Sequence, residues 1–336
     1  MERDLSIIIP FYNAEKYLYR VLSTICQSKT KYKYEVILID DGSIDDSFRI
    51  VSQFIENYTN ILYFKVNHQG VSHARNVGIS KSIGKYICFL DADDMVYPNY
   101  IECMINALVD SSDLVVCGYE LIDAKKKKRR VLDNCNYTNL SEALLNMELI
   151  KRTMVQSIWN KIFIRKIINE HEIQFPEDIS IGEDHSFFLD YCLHIKAIKT
   201  ISDVLYIHFK NSKSLSNQQF PYLILKQRAD KIYQKNKVLL SRFPLERYEK
   251  LCMANYTIDT YFSLLQLVSE NKKLPEIISE LKDRKHLLMC DYVYNRRHKL
   301  PPIIRVVLKQ NSIIVLHFTL LLLNLYYKLI QKRLNT

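Results

Sequence analysis

The chain has 336 residues, 48% of them hydrophobic, with only 6 glycines and 8 prolines. This is ample material for one large domain, or for a domain with a smaller appendage, and it excludes a disordered polymer. The formal net charge of +10 is unevenly placed: no acidic residue follows Asp291, whereas Arg296, Arg297, Lys299, Arg305, Lys309, Lys328, Lys332 and Arg333 all do.

The start is charged and leads directly into Leu5–Ile9, an apolar, β-branched run. It lacks the basic, apolar and small-residue succession of a secretory leader. Leu5–Ile9 reads as a strand buried on both faces, as in a parallel sheet. Tyr17, Leu18, Val21, Leu22 and Ile25 have helical spacing, which predicts a helix over 14–27. Strands are predicted at 35–39, 61–66, 86–90 and 114–119, and helices at 47–58, 71–80 and 97–109. Strands alternating with helices at this spacing define an α/β fold with a mostly parallel sheet. Ligands of such sheets sit beyond the carboxyl ends of the strands. The candidate site is therefore lined by residues 10–13, 40–45, 67–70 and 91–94.

From about Ser141 the pattern changes to helices and irregular stretches, with a weakly alternating strand at 201–209 and long helical stretches at 222–242 and 246–270. The boundary falls near Phe220, giving a catalytic region 1–220 and a helical C-terminal region 221–336. The eight cysteines are scattered without a CxxC pair. They read as reduced, mostly buried thiols, which predicts a cytosolic protein.

Asp91, Asp93 and Asp94 directly follow a buried strand. Carboxylates this close repel one another unless a cation or hydrogen-bond donors hold them. A hard divalent ion, Mg²⁺ or Mn²⁺, suits oxygen ligands and phosphate partners. A capping role for the helix that follows is the plainer alternative.

Four segments together carry a family resemblance. They are Pro10-Phe11-Tyr12-Asn13, Asp40 to Asp45, Gly70 to Gly78 and Leu90 to Asp94, joined farther on by Trp159 to Phe163 and Gly182 to Phe188. In order and spacing the chain resembles the family 2 inverting glycosyltransferases of GT-A fold, bacterial surface-polysaccharide branch, over about residues 4–216. The resemblance implies a UDP-sugar donor. Tyr12 would stack on the base, with Pro10 and Asn13 beside it, and Asp40 or Asp41 would accept the base imide N–H. Arg75 would reach the base or diphosphate, or else pair with Asp40 or Asp91. Asp91-Ala92-Asp93 would hold ribose and metal, with Asp93 the main ligand and His208 completing the metal shell or donating to phosphate. Asp184 would be the base that activates the acceptor, with Glu183 beside it, unless it caps the following helix. Trp159 and Lys161 would lie at the acceptor, Trp159 being otherwise a core anchor.

Two further features bear on partners. Lys125 to Arg130 is an unbroken basic run, read as a solvated hairpin tip or a contact for anionic lipid. Ile313 to Tyr327 is apolar with basic flanks, too short and too polar to span a bilayer comfortably. It suits a helix in the membrane interface, alongside packing on the protein. The expected setting is the inner face of the cell membrane, with a glycan or polyprenyl-diphosphate-linked glycan as acceptor and no nucleic acid. A sugar nucleotidyltransferase is a poorer fit, because Pro10 to Ala14 contains no glycine for a phosphate loop. A non-catalytic nucleotide-sugar-binding member is the remaining alternative.

Overall fold

The computed structural model describes residues 3–108, 112–123, 126–150, 153–210 and 220–249, with a few positions between 251 and 259. The basic C-terminal tail, including Ile313 to Tyr327, and most of the helical stretch predicted at 246–270 lie outside them. The chain divides into two units, Met1–Asn217 and Gln218–Thr336. All candidate site residues belong to the first.

That unit is built on one ten-stranded sheet whose main path runs β3-β2-β1-β4-β9-β6-β10-β5. β1 (Leu5–Phe11) is its hub, parallel to β2 (Tyr34–Asp40) on one side and to β4 (Tyr86–Phe89) on the other. All seven residues of β1 are buried, which explains the continuous apolar run. Each fully buried Ile there contributes roughly 1.5–3 kcal/mol. β2 is flanked in turn by β3 (Ile61–Lys65), also parallel.

The helices cover these strands in the predicted order. α1 (Leu18–Cys26) buries Leu18, Val21, Leu22 and Ile25, and α2 (Ser47–Asn57) buries Val51 and Phe54. α3 (Val71–Lys81) lies close against β1, and a Cβ on Gly78 would collide with the Ile8 side chain. Glycine is required there by proximity. α4 (Tyr100–Leu108) starts later than the periodicity predicts, because β5 (Met95–Val96) and a turn come first.

Two strands carry lysines that hide them from a pattern reading. β9 is Lys161–Ile164, antiparallel to both β4 and β6 (Leu114–Asp123), so it joins the two parallel parts of the sheet. β7 (Lys126–Arg130) pairs antiparallel with β6, so most of the basic run is a strand. Its residues are poor strand formers, but the Glu120 carboxylate, wholly buried, accepts from Lys127 at 2.7 Å and Arg129 at 2.6 Å. β8 (Cys135–Tyr137) and then α5 (Leu140–Ile150) and α6 (Thr153–Gln156) lead back to β9, and α7 (Arg165–Glu170) follows it. α8 (Glu183–Cys192) precedes β10 (Ile198–Phe209), which is parallel to β6 and antiparallel to β5 and β8.

In the second unit α9 (Tyr222–Arg242) coincides with its predicted span. Asn236 accepts from Tyr248 at 2.9 Å and Tyr233 stacks on Tyr256 at 4.2 Å. Among the described residues, no helix is long and apolar enough to cross a membrane.

Candidate active site

The loops after β1, β2, β3 and β4 converge beyond the carboxyl ends of the strands. Pro10 is buried in β1 opposite Ile39. Asn13 takes a left-handed φ of 50°, and its side-chain oxygen accepts from Ile44 N at 2.9 Å while its own N–H donates to Ser43 Oγ at 2.9 Å. Asn13 thus ties the β1 and β2 loops together. Tyr12 stands out from this knot, 45% exposed.

Asp40 and Asp41 are both buried and both committed to protein donors. Asp40 accepts from Ser43 N at 2.7 Å and Tyr63 OH at 2.8 Å. Asp41 accepts from Gln69 N and Gly70 N, each at 2.9 Å, and from His68 Nδ1 at 2.8 Å. Both carboxylates thus also serve the fold: Asp41 ties the end of β2 to the loop that opens α3.

Arg75 is the centre of the site, and its place differs from the expectation that it reaches a base or diphosphate. It is 4% exposed, and its guanidinium donates to Asp184 Oδ1 at 2.7 Å, Glu183 Oε1 at 3.1 Å and Asp91 Oδ1 at 3.2 Å. The Asp91 pairing is the alternative read from the sequence, and Asp40 is not a partner. Burial pulls the Arg75 pKa down, but Asp184, Asp91 and Glu183 together hold it above its ordinary value. A single cation facing three carboxylates leaves an excess of negative charge.

The strain of that excess is felt at Asp184. Burial first, with Glu183 and Asp91 beside it, pushes its carboxyl well above the usual range against the pull of Arg75. A carboxylate so raised is a stronger base than a free one. Asp184 does not cap α8: Gly182 is the N-cap, at φ 82°, and no side chain caps it. Glu183 and Asp184 occupy the first turn, where helix N–H groups favour anions.

The loop after β4 presents Asp91, Ala92 and Asp93, all half-buried. Asp94 is wholly buried and accepts from Tyr206 OH at 2.6 Å, His208 Nδ1 at 3.0 Å and Phe209 N at 2.9 Å, which latches the loop to β10. The Arg20 guanidinium donates to the Asp93 carbonyl and lies 3.8 Å from the Phe209 ring centroid. Burial, Asp94 and Asp91 push the Asp93 carboxyl up to about 6. A divalent cation would cancel that strain, so the donor set fits a hard metal: Asp93 and Asp91 offer oxygens, and His208, held by Asp94 through Nδ1, keeps Nε2 for a ligand. Among the described residues no three His, Cys, Asp or Glu are grouped tightly enough to hold a metal unaided. Mg²⁺ commonly binds through one or two carboxylates with substrate phosphates, which requires no such group.

Two expected acceptor residues are placed elsewhere. Lys161 is fully buried, and its ammonium donates to the carbonyls of Met154 and Ser157 and, at 3.0 Å, to Asn160 Oδ1. Those carbonyls close the end of α6, and sharing them satisfies the charge internally. Trp159 is 7% exposed, stacked on Tyr206 at 4.5 Å and on His208 at 5.3 Å. It backs His208 as a core anchor and offers no open face to a sugar. The pattern reading missed His68, Arg20 and Tyr206. Position at a strand end pointed to the segment containing His68, and the strand that carries His208 contains Tyr206, but nothing local marked Arg20.

A mostly parallel sheet with an acidic loop beyond β4 and paired carboxylates on α8 defines a GT-A nucleotide-diphospho-sugar transferase fold. Residues 6–171 match the family model described as Glycosyl transferase family 2, and the chain belongs to that family. It is 31% identical over 214 residues to an uncharacterized glycosyltransferase of Haemophilus influenzae, covering 62% of this chain and 77% of that protein. It is 26% identical over 251 residues to the putative glycosyltransferase EpsH of Bacillus subtilis, covering 73% and 72%. The crystal structure of Staphylococcus aureus TarS 1-349 in complex with UDP-GlcNAc shares the fold, with a TM-score of 0.69 over 94% of this chain and 89% of that one, at 20% identity.

Proposed function

We propose that this glycosyltransferase moves one sugar, with inversion, from a UDP-sugar to a glycan, free or carried on a polyprenyl diphosphate, in cell-surface polysaccharide synthesis. The observation that carries the reading is the convergence of Asp91, Glu183 and Asp184 on Arg75. It joins a donor-side carboxylate to an acceptor-side pair through one guanidinium. The UDP-GlcNAc held by the TarS structure supports the donor class, and a hexosyl or N-acetylhexosaminyl unit is the sugar class proposed.

Asp184 takes the proton of the acceptor hydroxyl as that oxygen attacks the anomeric carbon from the face opposite the diphosphate. Arg75 holds Asp184 and Asp91 at a fixed separation, and Glu183 orients the acceptor. Asp93, Asp91 and His208 would hold Mn²⁺ or Mg²⁺, which supplies charge neutralisation to the departing diphosphate. Residues 1–220 form the transferase region in this reading. The C-terminal region, with its basic and apolar tail, brings the enzyme to the anionic inner face of the membrane.

A panel of UDP-sugars with Mn²⁺, scored for UDP release with and without glycan acceptors, tests the reading. One UDP-sugar is expected to be consumed in an acceptor-dependent manner, with activity lost in EDTA and in Asp93→Ala. Release of pyrophosphate in place of UDP would sink it, and full activity in EDTA would remove the metal.

A further inference from the structure

The basic strand β7 stands in the lane of β9. Both pair antiparallel with β6, β9 along Leu114–Val116 and β7 along Tyr119–Asp123, and β10 occupies the opposite edge of β6 over both stretches. Gly118 lies between the two pairings, and a Cβ there would come within 2.6 Å of the Arg130 carbonyl oxygen. β9 also pairs with β4, which runs in the same direction as β6. β7 therefore continues the lane beside the loop that follows β4 and carries Asp91 to Asp94. Its second edge pairs with no described strand.

Side chains along β7 alternate between two faces. Lys127 and Arg129 turn to Glu120, at 2.7 and 2.6 Å, and their charge is matched there. Lys128 and Arg130 take the opposite face. Across the sheet, Arg130 is level with Tyr119 and Tyr206, and Lys128 with Leu121 and His208. Residues level with one another share a face, and Trp159 touches Tyr119, Tyr206 and His208 on it, at 4.8, 4.5 and 5.3 Å. Lys128 thus stands on the His208 face, two strand spacings away, roughly 10 Å. Neither Lys128 nor Arg130 forms an ion pair with a described residue, and Arg130 donates only to the Arg129 carbonyl, at 3.3 Å.

We propose that this face of β7 is an acceptor subsite, where Lys128 and Arg130 bind a phosphate group carried by the acceptor. The inference rests on the UDP-sugar reading and deepens it by making the acceptor anionic. The loops after β1, β2 and β3 lie on one side of the Asp91–Asp94 loop and β7 on the other, so a donor held by those loops leaves β7 free for the second substrate. Ammonium and guanidinium groups suit phosphate oxygens. Lysine and arginine are poor choices for a strand, and the buried Glu120 accounts for two of the cations in this one.

The test is calorimetric titration of the full chain, first saturated with UDP and Mn²⁺. Two probes distinguish the source of the phosphate: N-acetylglucosamine 1-phosphate carries it on a sugar, geranyl diphosphate on a prenyl chain. Wild type is expected to bind at least one of them, and N-acetylglucosamine at least about tenfold more weakly, the worth of one charge-assisted hydrogen bond. The double variant Lys128→Glu, Arg130→Glu is expected to weaken the bound probe by about tenfold or more, with UDP affinity unchanged. Lys128→Gln with Arg130→Gln is expected to weaken it in the same direction, which keeps the question decidable if the charge-reversed protein folds poorly. No probe binding by UDP-loaded wild type, or equal binding by wild type and both variants, overturns the subsite and leaves the UDP-sugar reading standing. A fall in UDP affinity in the variants gives these cations to the donor and overturns it too. So does loss of binding to phosphatidylglycerol vesicles with probe binding intact, which makes β7 a membrane contact. Failure of wild type to bind UDP overturns the UDP-sugar reading, and this inference with it.

Discussion

Among the described residues of the first unit, Arg75 and Lys161 are buried cations whose surroundings are opposite in kind. Arg75 faces three carboxylates from two distant parts of the chain. Lys161 faces only neutral oxygens, all within seven residues of itself. The pKa of Arg75 is held above its ordinary value, whereas burial pushes that of Lys161 down to about 7. A buried cation among carboxylates keeps its charge and organises groups that can react. A buried cation among carbonyls closes a helix end, although the charge of Asp184 still acts on it. Chemical identity alone did not separate the two, because both are basic residues in motif segments.

The sharpest way to break the comparison is to remove the base that Arg75 holds. Asp184→Asn is expected to lower kcat on the order of 10²–10⁴-fold with UDP affinity little changed, read by turnover and calorimetry. Unchanged turnover would place the base elsewhere. Arg75→Lys keeps the charge but loses the planar fork that reaches separate carboxylates. A fall in kcat on the order of 10²-fold is expected, larger than any rise in the donor KM, because positioning errors act on the reacting geometry. A proportionate rise in KM with kcat intact would instead mark Arg75 as a donor ligand.

Lys161→Met should act on stability. Three oxygens lose their donor in the core, and a loss of roughly 3 kcal/mol is expected in denaturant unfolding, with acceptor KM unchanged. A selective rise in acceptor KM would return Lys161 to the site. The smallest effect is a pH slope. The folded pKa of about 7 is below that of the unfolded chain, so the unfolded state binds more protons above pH 7. Stability contributed by this group therefore rises with pH from about 7 to about 8.5, where cysteine ionisation in the unfolded chain begins to interfere. Lys161→Met is expected to lack that rise, and identical slopes in the two proteins would show that Lys161 keeps its proton throughout.

Much of this fold could be read before any coordinates. β1, β2 and β4 are buried on both faces, so their sequences are uninterrupted apolar runs, and the loops after them could be placed at the strand ends. β9 and β7 could not, because Lys161 and the run Lys126–Arg130 break the apolar pattern and their pairing partners are remote. The acidic loop was legible as a cluster, but its division of labour was not fully so. What holds Asp94 in the fold, its bonds to Tyr206, His208 and Phe209, comes from more than a hundred residues away. Arg75 likewise meets Glu183 and Asp184 across 108 and 109 positions, a link no local pattern contains.

Gly78 connects these lessons to tolerance of change. It lies one helical turn beyond Arg75 on α3, seated on Ile8 where a methyl group would collide. The helix works as a lever whose fulcrum is this contact. Any side chain at 78 would lift α3 from the sheet and swing the guanidinium away from its carboxylates, without altering a single charged residue. The loops around the site can therefore diversify to accept new sugars, while the alignment of the reacting groups depends on the absence of one methyl where α3 meets β1.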